Sequence, residues 1–259
     1  MIVTPLLLAQ LSNAIYDSFD GFDQHWSIDD VVIARKRVGD TDVLVLRGSL
    51  TAEDWLRDAE AVPVLHPQLG LVHSGFLAGM DEVFAAVRGT GRKVAITGHS
   101  LGGARARILA GLFTCAGLPV ETLCVFGSPK PGFAQLARII QQSGMAHTSY
   151  RNREDIVPTL PGVLDWQHTE PWIALDAAPA DDCLESLRDH SCGLYAEALA
   201  HVGRGTGVWR VALVICNKHI MGERWAFGGG WSGGIWKRSK NCLILKNRTS
   251  ANPALMVVK

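Results

Sequence analysis

The stretch KVAITGHSLGGARARILAGL, residues 93 to 112, limits what this chain can fold into more than any other. Lys93 to Thr97 reads as a short buried strand. Gly98-His99-Ser100-Leu101-Gly102 fits Gly-x-Ser-x-Gly, and the Ala-, Leu- and Ile-rich run from Gly103 to Leu112 reads as a helix. A serine at a strand-to-helix turn sits where a nucleophile is presented. Gly98 and Gly102 let the two backbones approach, and the free N–H groups at the helix start point toward the reacting oxygen.

The flanking segments extend the same pattern. Leu6, Leu7, Ala9, Leu11, Ala14 and Ile15 predict an opening helix. Val31 to Arg37 and Asp42 to Leu46 predict a hairpin turning at Gly39-Asp40. TAEDWLRDAE reads as a polar helix, and GFLAGMDEVFAAVRGTG as an amphipathic helix closed by Gly89 and Gly91. VETLCVFGSP is a strand, GFAQLARIIQQSG a helix, AHTSYRN a strand and DWQHTEPWIALD a further strand; DDCLESLRDHSCGLYAEALAH reads as loop, then helix. Strands alternating with helices predict an α/β domain. Its central, mostly parallel sheet is flanked by helices, with antiparallel strands at the N-terminal side.

Charge divides the chain. From Arg204 to Lys259 there are ten Lys or Arg and one Glu, so a formal net charge of zero hides an acidic body and a basic tail. Four of the eight Trp also fall in that tail. HVGRGTG, residues 201 to 207, marks the change, giving a domain over 1–203 and a basic Trp/Gly-rich extension over 204–259. MIVTPLLLAQLSNAIY has no positive charge before its apolar run and no clear small-residue cleavage site, so it reads as a core helix. That reading leans to the cytoplasm over secretion. No apolar run reaches the ~18 residues of a membrane-spanning helix. Six scattered cysteines form no Cys-x-x-Cys, although Cys183 and Cys192 are spaced to pair across a loop.

A serine hydroxyl needs a base to take its proton, an acid to orient that base, and donors for the oxyanion. At a turn of this kind the chain order is Ser, then Asp or Glu, then His, and the N–H of Leu101 supplies one oxyanion donor. Asp155 follows a strand and so lies at the carboxyl edge of the sheet. Glu154, Asp165 and Asp176 are its rivals. For the base, His168, His190, His201 and His219 satisfy the order. His99, beside the nucleophile, points away from it.

GHSLGGA after a strand resembles the class 3, or fungal-type, lipase family of α/β hydrolases. VLVLRGS (43–49), DWLRD (54–58), VHSGF (72–76), VFGSPKPG (125–132) and YRNREDIVPTLP (150–161) are similar to further segments of that family, in order. The resemblance covers about residues 5 to 200. It implies an α/β-hydrolase fold and a serine ester hydrolase that cleaves carboxylic esters through an acyl-enzyme. Asp155 is then the acid, and DHSCGLY, similar to the family's Asp-His-Ser-x-x-x-Tyr segment, makes His190 the base. Ser49 becomes the second oxyanion donor, and His73 a structural hydrogen-bonding residue near the nucleophile loop. No cofactor or metal is implied. The substrate is a small-molecule or lipid ester, with Leu50 to Leu71 as a segment able to cover the site. The tail has no counterpart in the family. Its composition suits a plain extension or a contact with an anionic lipid surface, and is weak evidence for nucleic acid. A catalytically silent binding protein on the same scaffold, and a phospholipase or feruloyl-type esterase, are the other readings.

Overall fold

The opening helix forms where the sequence supplies a cap and an apolar face. In the computed structural model α1 spans Pro5–Asp17. The Leu7 N–H donates to the Thr4 hydroxyl at 3.2 Å, and Pro5 opens the helix where a missing N–H costs nothing. Leu8, Ala9, Ser12 and Ile15 are its buried residues. The structure describes residues 2–49, 62–89, 91–175 and 189–202, together with short strands at 212–213, 235–239 and 242–246.

Three antiparallel strands follow: β1 Gln24–Ile28, β2 Val31–Val38 and β3 Thr41–Leu46. The β2–β3 turn falls at Gly39, as expected. β3 is buried at every position, as suits a strand covered on both faces. β4 Pro63–His66 and β5 Gly70–His73 form a small separate hairpin, followed by the short helices α2 Ser74–Leu77 and α3 Met80–Val87. β6 Lys93–His99, β7 Thr122–Phe126, β8 Ala146–Asn152 and β9 Trp172–Leu175 then extend β3 in parallel. Between them run α4 Leu101–Cys115 and α5 Ala134–Gln142, and α6 Cys192–Val202 follows β9. β10 Ala212–Leu213, beyond the boundary expected at residue 203, pairs antiparallel with β9. The sheet order is β1-β2-β3-β6-β7-β8-β9-β10 among the described residues, and β11 Ile235–Ser239 pairs with β12 Cys242–Lys246.

Two apolar layers sandwich this sheet. One joins α2 to α5 through Phe76, Val83, Ile108, Leu112 and Leu136. The other joins α1 and α6 through Leu8, Ile15, Tyr195 and Ala198. α4 is buried from Leu101 to Phe113, so it reads as apolar all round except at two arginines. Arg105 reaches out to Asp30 at 2.6 Å, pinning the β1–β2 turn.

Arg107 is fully buried and pairs with Glu170 at 2.7 Å, and it also donates to the Ser128 and Ser149 hydroxyls. Burial alone would raise the Glu170 carboxyl, but Arg107 and then His147 outweigh it and hold the carboxyl well below its ordinary 4.5. The unfolded chain therefore takes up the proton first as pH falls. The pair's contribution is complete above about pH 5 and drains away below about pH 4.5. Thermal melts are expected to show that acid-side loss in the wild type. In Glu170→Gln it is reduced, at a plateau about 3 kcal/mol lower because Arg107 keeps its buried charge without a counter-ion. An unchanged pH slope in the variant would show that the loss comes from other carboxylates.

The sequence expectations differ from the fold in four places. The helix expected over 75–91 breaks at Gly79, whose φ of 74° is left-handed, so two short helices replace it. The strand expected over 165–176 shrinks to β9, with Gln167 making only an isolated bridge to Gly132. β1 and the β4–β5 hairpin were not anticipated. Cys192 is a buried free thiol, while Cys183, the helix expected over 51–60, most of the 50–71 segment and most of the 204–259 tail lie outside the described residues.

Candidate active site

Ser100 occupies the bend between β6 and α4 with φ 58° and ψ −130°, a strained backbone that non-glycine residues rarely adopt. Its N–H donates to the Phe126 carbonyl at 3.0 Å, which ties the bend to β7. The flanking glycines are required by contact. A Cβ on Gly98 would stand 2.4 Å from the Gly102 carbonyl oxygen, and one on Gly102 would stand 2.2 Å from that of Leu46.

The acid and base come from two stitched loops. β8 ends at Asn152, and Asp155 follows in a turn closed by its N–H to the Asn152 carbonyl at 2.9 Å. His190 lies in the turn that opens α6. Asn152 Nδ2 donates to the Asp189 carbonyl at 3.0 Å, and the Glu154 N–H donates to Asp189 Oδ2 at 3.1 Å. These bonds fix one loop against the other. The result is a line of side chains: His190 Nδ1 lies 2.8 Å from Asp155 Oδ2, and His190 Nε2 lies 2.8 Å from Ser100 Oγ. A carboxylate accepts only, so Nδ1 carries the imidazole proton and Nε2 is left to accept from the serine. All three residues are buried, at 4, 0 and 3 % exposure for Ser100, Asp155 and His190.

The described rivals stand elsewhere. Glu154 and Asp165 are exposed. His168 donates from Nε2 to the Pro158 carbonyl at 2.5 Å, and burial, with Arg107 nearby, pushes it down to about 3. His201 is on the surface near Glu197, 3.7 Å away. Asp176 and His219 lie outside the described residues. His73 departs from its expected role. Among the described residues neither of its ring nitrogens has a hydrogen-bond partner, and the ring stacks on Phe76 at 3.9 Å. Ser49 follows Gly48, where a Cβ would lie 3.2 Å from Ser100 Cβ, so the end of β3 runs beside the serine. Leu101 supplies the first N–H of α4. Among the described residues no cluster of His, Cys, Asp and Glu is placed to hold a metal ion.

Two further groups at the carboxylate escaped the sequence reading. The Tyr195 hydroxyl donates to Asp155 Oδ2 at 2.5 Å and accepts from the Asn152 N–H at 3.0 Å. Burial, reinforced by the Asp155 charge, raises this phenol well above its usual value, so it stays a donor. Its signal was present: Tyr195 is the last residue of the DHSCGLY segment that singled out His190. Gly127 lines the same spot with φ 56°, and a Cβ there would stand 2.8 Å from Asp155 Oδ2 and 3.0 Å from His190 Nδ1. Gly127→Ala is expected to cost about 1–3 kcal/mol through strain and crowding, and to lower kcat about 100-fold by displacing the pair. Thermal melts and steady-state kinetics check both, and kcat within threefold of wild type would show that the site absorbs the methyl group.

The sequence model of the family described as lipase (class 3) matches residues 43–164, a span that holds the Ser100 bend and Asp155. Over that span the chain is similar to the class 3 lipase family. Secreted mono- and diacylglycerol lipase 1 of Fusarium solani is 32% identical over 161 residues, 57% of this chain and 46% of that protein. A lipase of Rhizomucor miehei is 32% identical over 183 residues, 63% of this chain and 50% of that protein. The chain thus spans about half the length of these relatives. Among solved structures, a triacylglycerol lipase described as having a serine protease triad at its catalytic centre superposes with a TM-score of 0.58. It is 25% identical, and the match covers 71% of this chain and 91% of that one. The lean to the cytoplasm is overturned, because the Fusarium solani relative is named as secreted.

Proposed function

We propose that this chain is a serine ester hydrolase of the triacylglycerol lipase type, acting on lipid or small-molecule carboxylic esters. The single observation that carries this is the continuous line Asp155–His190–Ser100, with 2.8 Å at both junctions. Ser100 Oγ attacks the ester carbonyl as His190 Nε2 takes its proton. The imidazolium that forms is held by Asp155, itself steadied by Tyr195. The N–H groups of Leu101 and Ser49 receive the oxyanion. When the tetrahedral species collapses, the ester C–O bond breaks and the alcohol leaves with the proton from His190. Water then attacks the acyl-serine, again giving its proton to His190, and the carboxylic acid departs with Ser100 restored.

Turnover of p-nitrophenyl esters over a series of acyl lengths, offered both dissolved and emulsified, tests this. Stoichiometric labelling by a fluorophosphonate, mapped to Ser100, is expected alongside it. A folded protein that neither hydrolyses any ester nor takes the label is not a hydrolase.

A further inference from the structure

His99 does point away from the nucleophile, but it does not point into inert packing. Its Nε2 lies 2.6 Å from the His190 carbonyl oxygen, and its Nδ1 lies 3.0 Å from the Tyr16 hydroxyl. The Gly48 N–H donates to that same hydroxyl at 3.1 Å. The proton positions follow from the partners alone. A carbonyl only accepts, so Nε2 carries the imidazole proton and Nδ1 is the acceptor. Tyr16 therefore donates to Nδ1, and its oxygen accepts from Gly48. We propose that Tyr16 and His99 are positioning residues, a directed chain Gly48 N–H to Tyr16 to His99 to the His190 carbonyl that sets the end of β3 and the base loop relative to each other across Ser100.

Three features support a shared, rigid setting. The His99 and His190 rings pack with centroids 4.6 Å apart, so His99 touches the base through its ring as well as its backbone. Burial, then His190, lowers His99 well below the ordinary imidazole value, and burial raises Tyr16, so both remain neutral and the directions of donation do not reverse. Gly48 is pressed into the bend: a Cβ there would stand 2.3 Å from the Tyr16 hydroxyl and 2.7 Å from the His99 carbonyl. Tyr16 comes from α1, 83 residues before His99, so no local pattern announces the contact.

This deepens the ester-hydrolase proposal and rests on it. The test compares Tyr16→Phe, His99→Gln and their double variant with wild type in p-nitrophenyl ester turnover and in the rate of fluorophosphonate labelling. Val87→Ala, in the remote core under α3, serves as the stability control. Tyr16→Phe removes only the hydroxyl. His99→Gln keeps an amide donor near the His190 carbonyl and removes the acceptor facing Tyr16. Each single variant is expected to lower kcat and the labelling rate about tenfold with KM within about twofold, since misplacement acts on the transition state. The double variant is expected to fall no more than about threefold below the poorer single one, because both cut the same chain. Val87→Ala lowers the melting temperature and leaves kcat within about twofold. Wild-type turnover with either single variant within twofold of it in kcat overturns the relay alone. Losses that multiply to about 100-fold in the double variant, or an equal loss in Val87→Ala, also overturn it. A wild type without turnover or labelling overturns the hydrolase proposal, and the relay with it.

Discussion

Ser100→Ala is expected to lower kcat on a p-nitrophenyl ester about 10⁵- to 10⁶-fold, with KM little changed. The size follows from what the hydroxyl contributes. It forms the covalent bond, and its proton is the one that His190 Nε2, 2.8 Å away, removes in the first step. Removing it leaves only the oxyanion donors and substrate binding, which by themselves supply a residual acceleration of about 10³–10⁴ over water. The fold should be untouched or improved, because alanine at φ 58° is no worse placed than serine and loses no buried partner other than the imidazole. Single-turnover kinetics measure this directly, with fluorophosphonate labelling of the wild type and its loss in the variant as control. A variant that keeps more than about 1% of wild-type kcat would move the nucleophile elsewhere.

Asp155→Asn is expected to cost about 10⁴-fold in kcat/KM, which is unusual for an isosteric change. Three donors converge on this carboxylate: His190 Nδ1 and the Tyr195 hydroxyl at Oδ2, and the Val157 N–H at Oδ1. An amide has one accepting oxygen. With its nitrogen at the Oδ2 position it faces two donors, and with its nitrogen at Oδ1 it faces the Val157 N–H. Neither orientation satisfies the site, and the first drives His190 into the tautomer whose Nε2 carries a proton and accepts nothing from Ser100. The pH profile of kcat/KM is the measurement. A loss under tenfold would mean that Tyr195 and the stitched loops hold the imidazole without the charge.

The parts of the molecule that were legible are those fixed by local chemistry. The bend at Ser100 announces itself because a tight strand-to-helix turn needs small residues at fixed spacing, and Gly98 and Gly102 meet backbone at 2.4 and 2.2 Å. Asp155 and His190 are readable because chain order and segment likeness agree. What was hidden depends on partners far away in sequence. β1 alternates only weakly and is mostly exposed, so Gln24 to Ile28 carries little apolar signal. The break at Gly79 lies within an amphipathic pattern that continues on both sides of it. Tyr195 and Tyr16 are ordinary helix tyrosines until the sheet brings one to Asp155 and the other to His99. His73 failed for the opposite reason: a motif suggested a hydrogen bond where the packing supplies an aromatic face.

The two helices that share a layer, α1 and α6, are far apart in the sequence, and each sends one phenol to the site. A chain emerging from the ribosome would carry Ser100 and Asp155 for some time before residues 190 to 202 exist. Until α6 docks on α1, the strained bend has neither its imidazole nor the tyrosine behind the carboxylate. The same closure predicts that a fragment beginning at Gln24 and a separate Pro5–Asp17 peptide would regain chemistry only on reassociation.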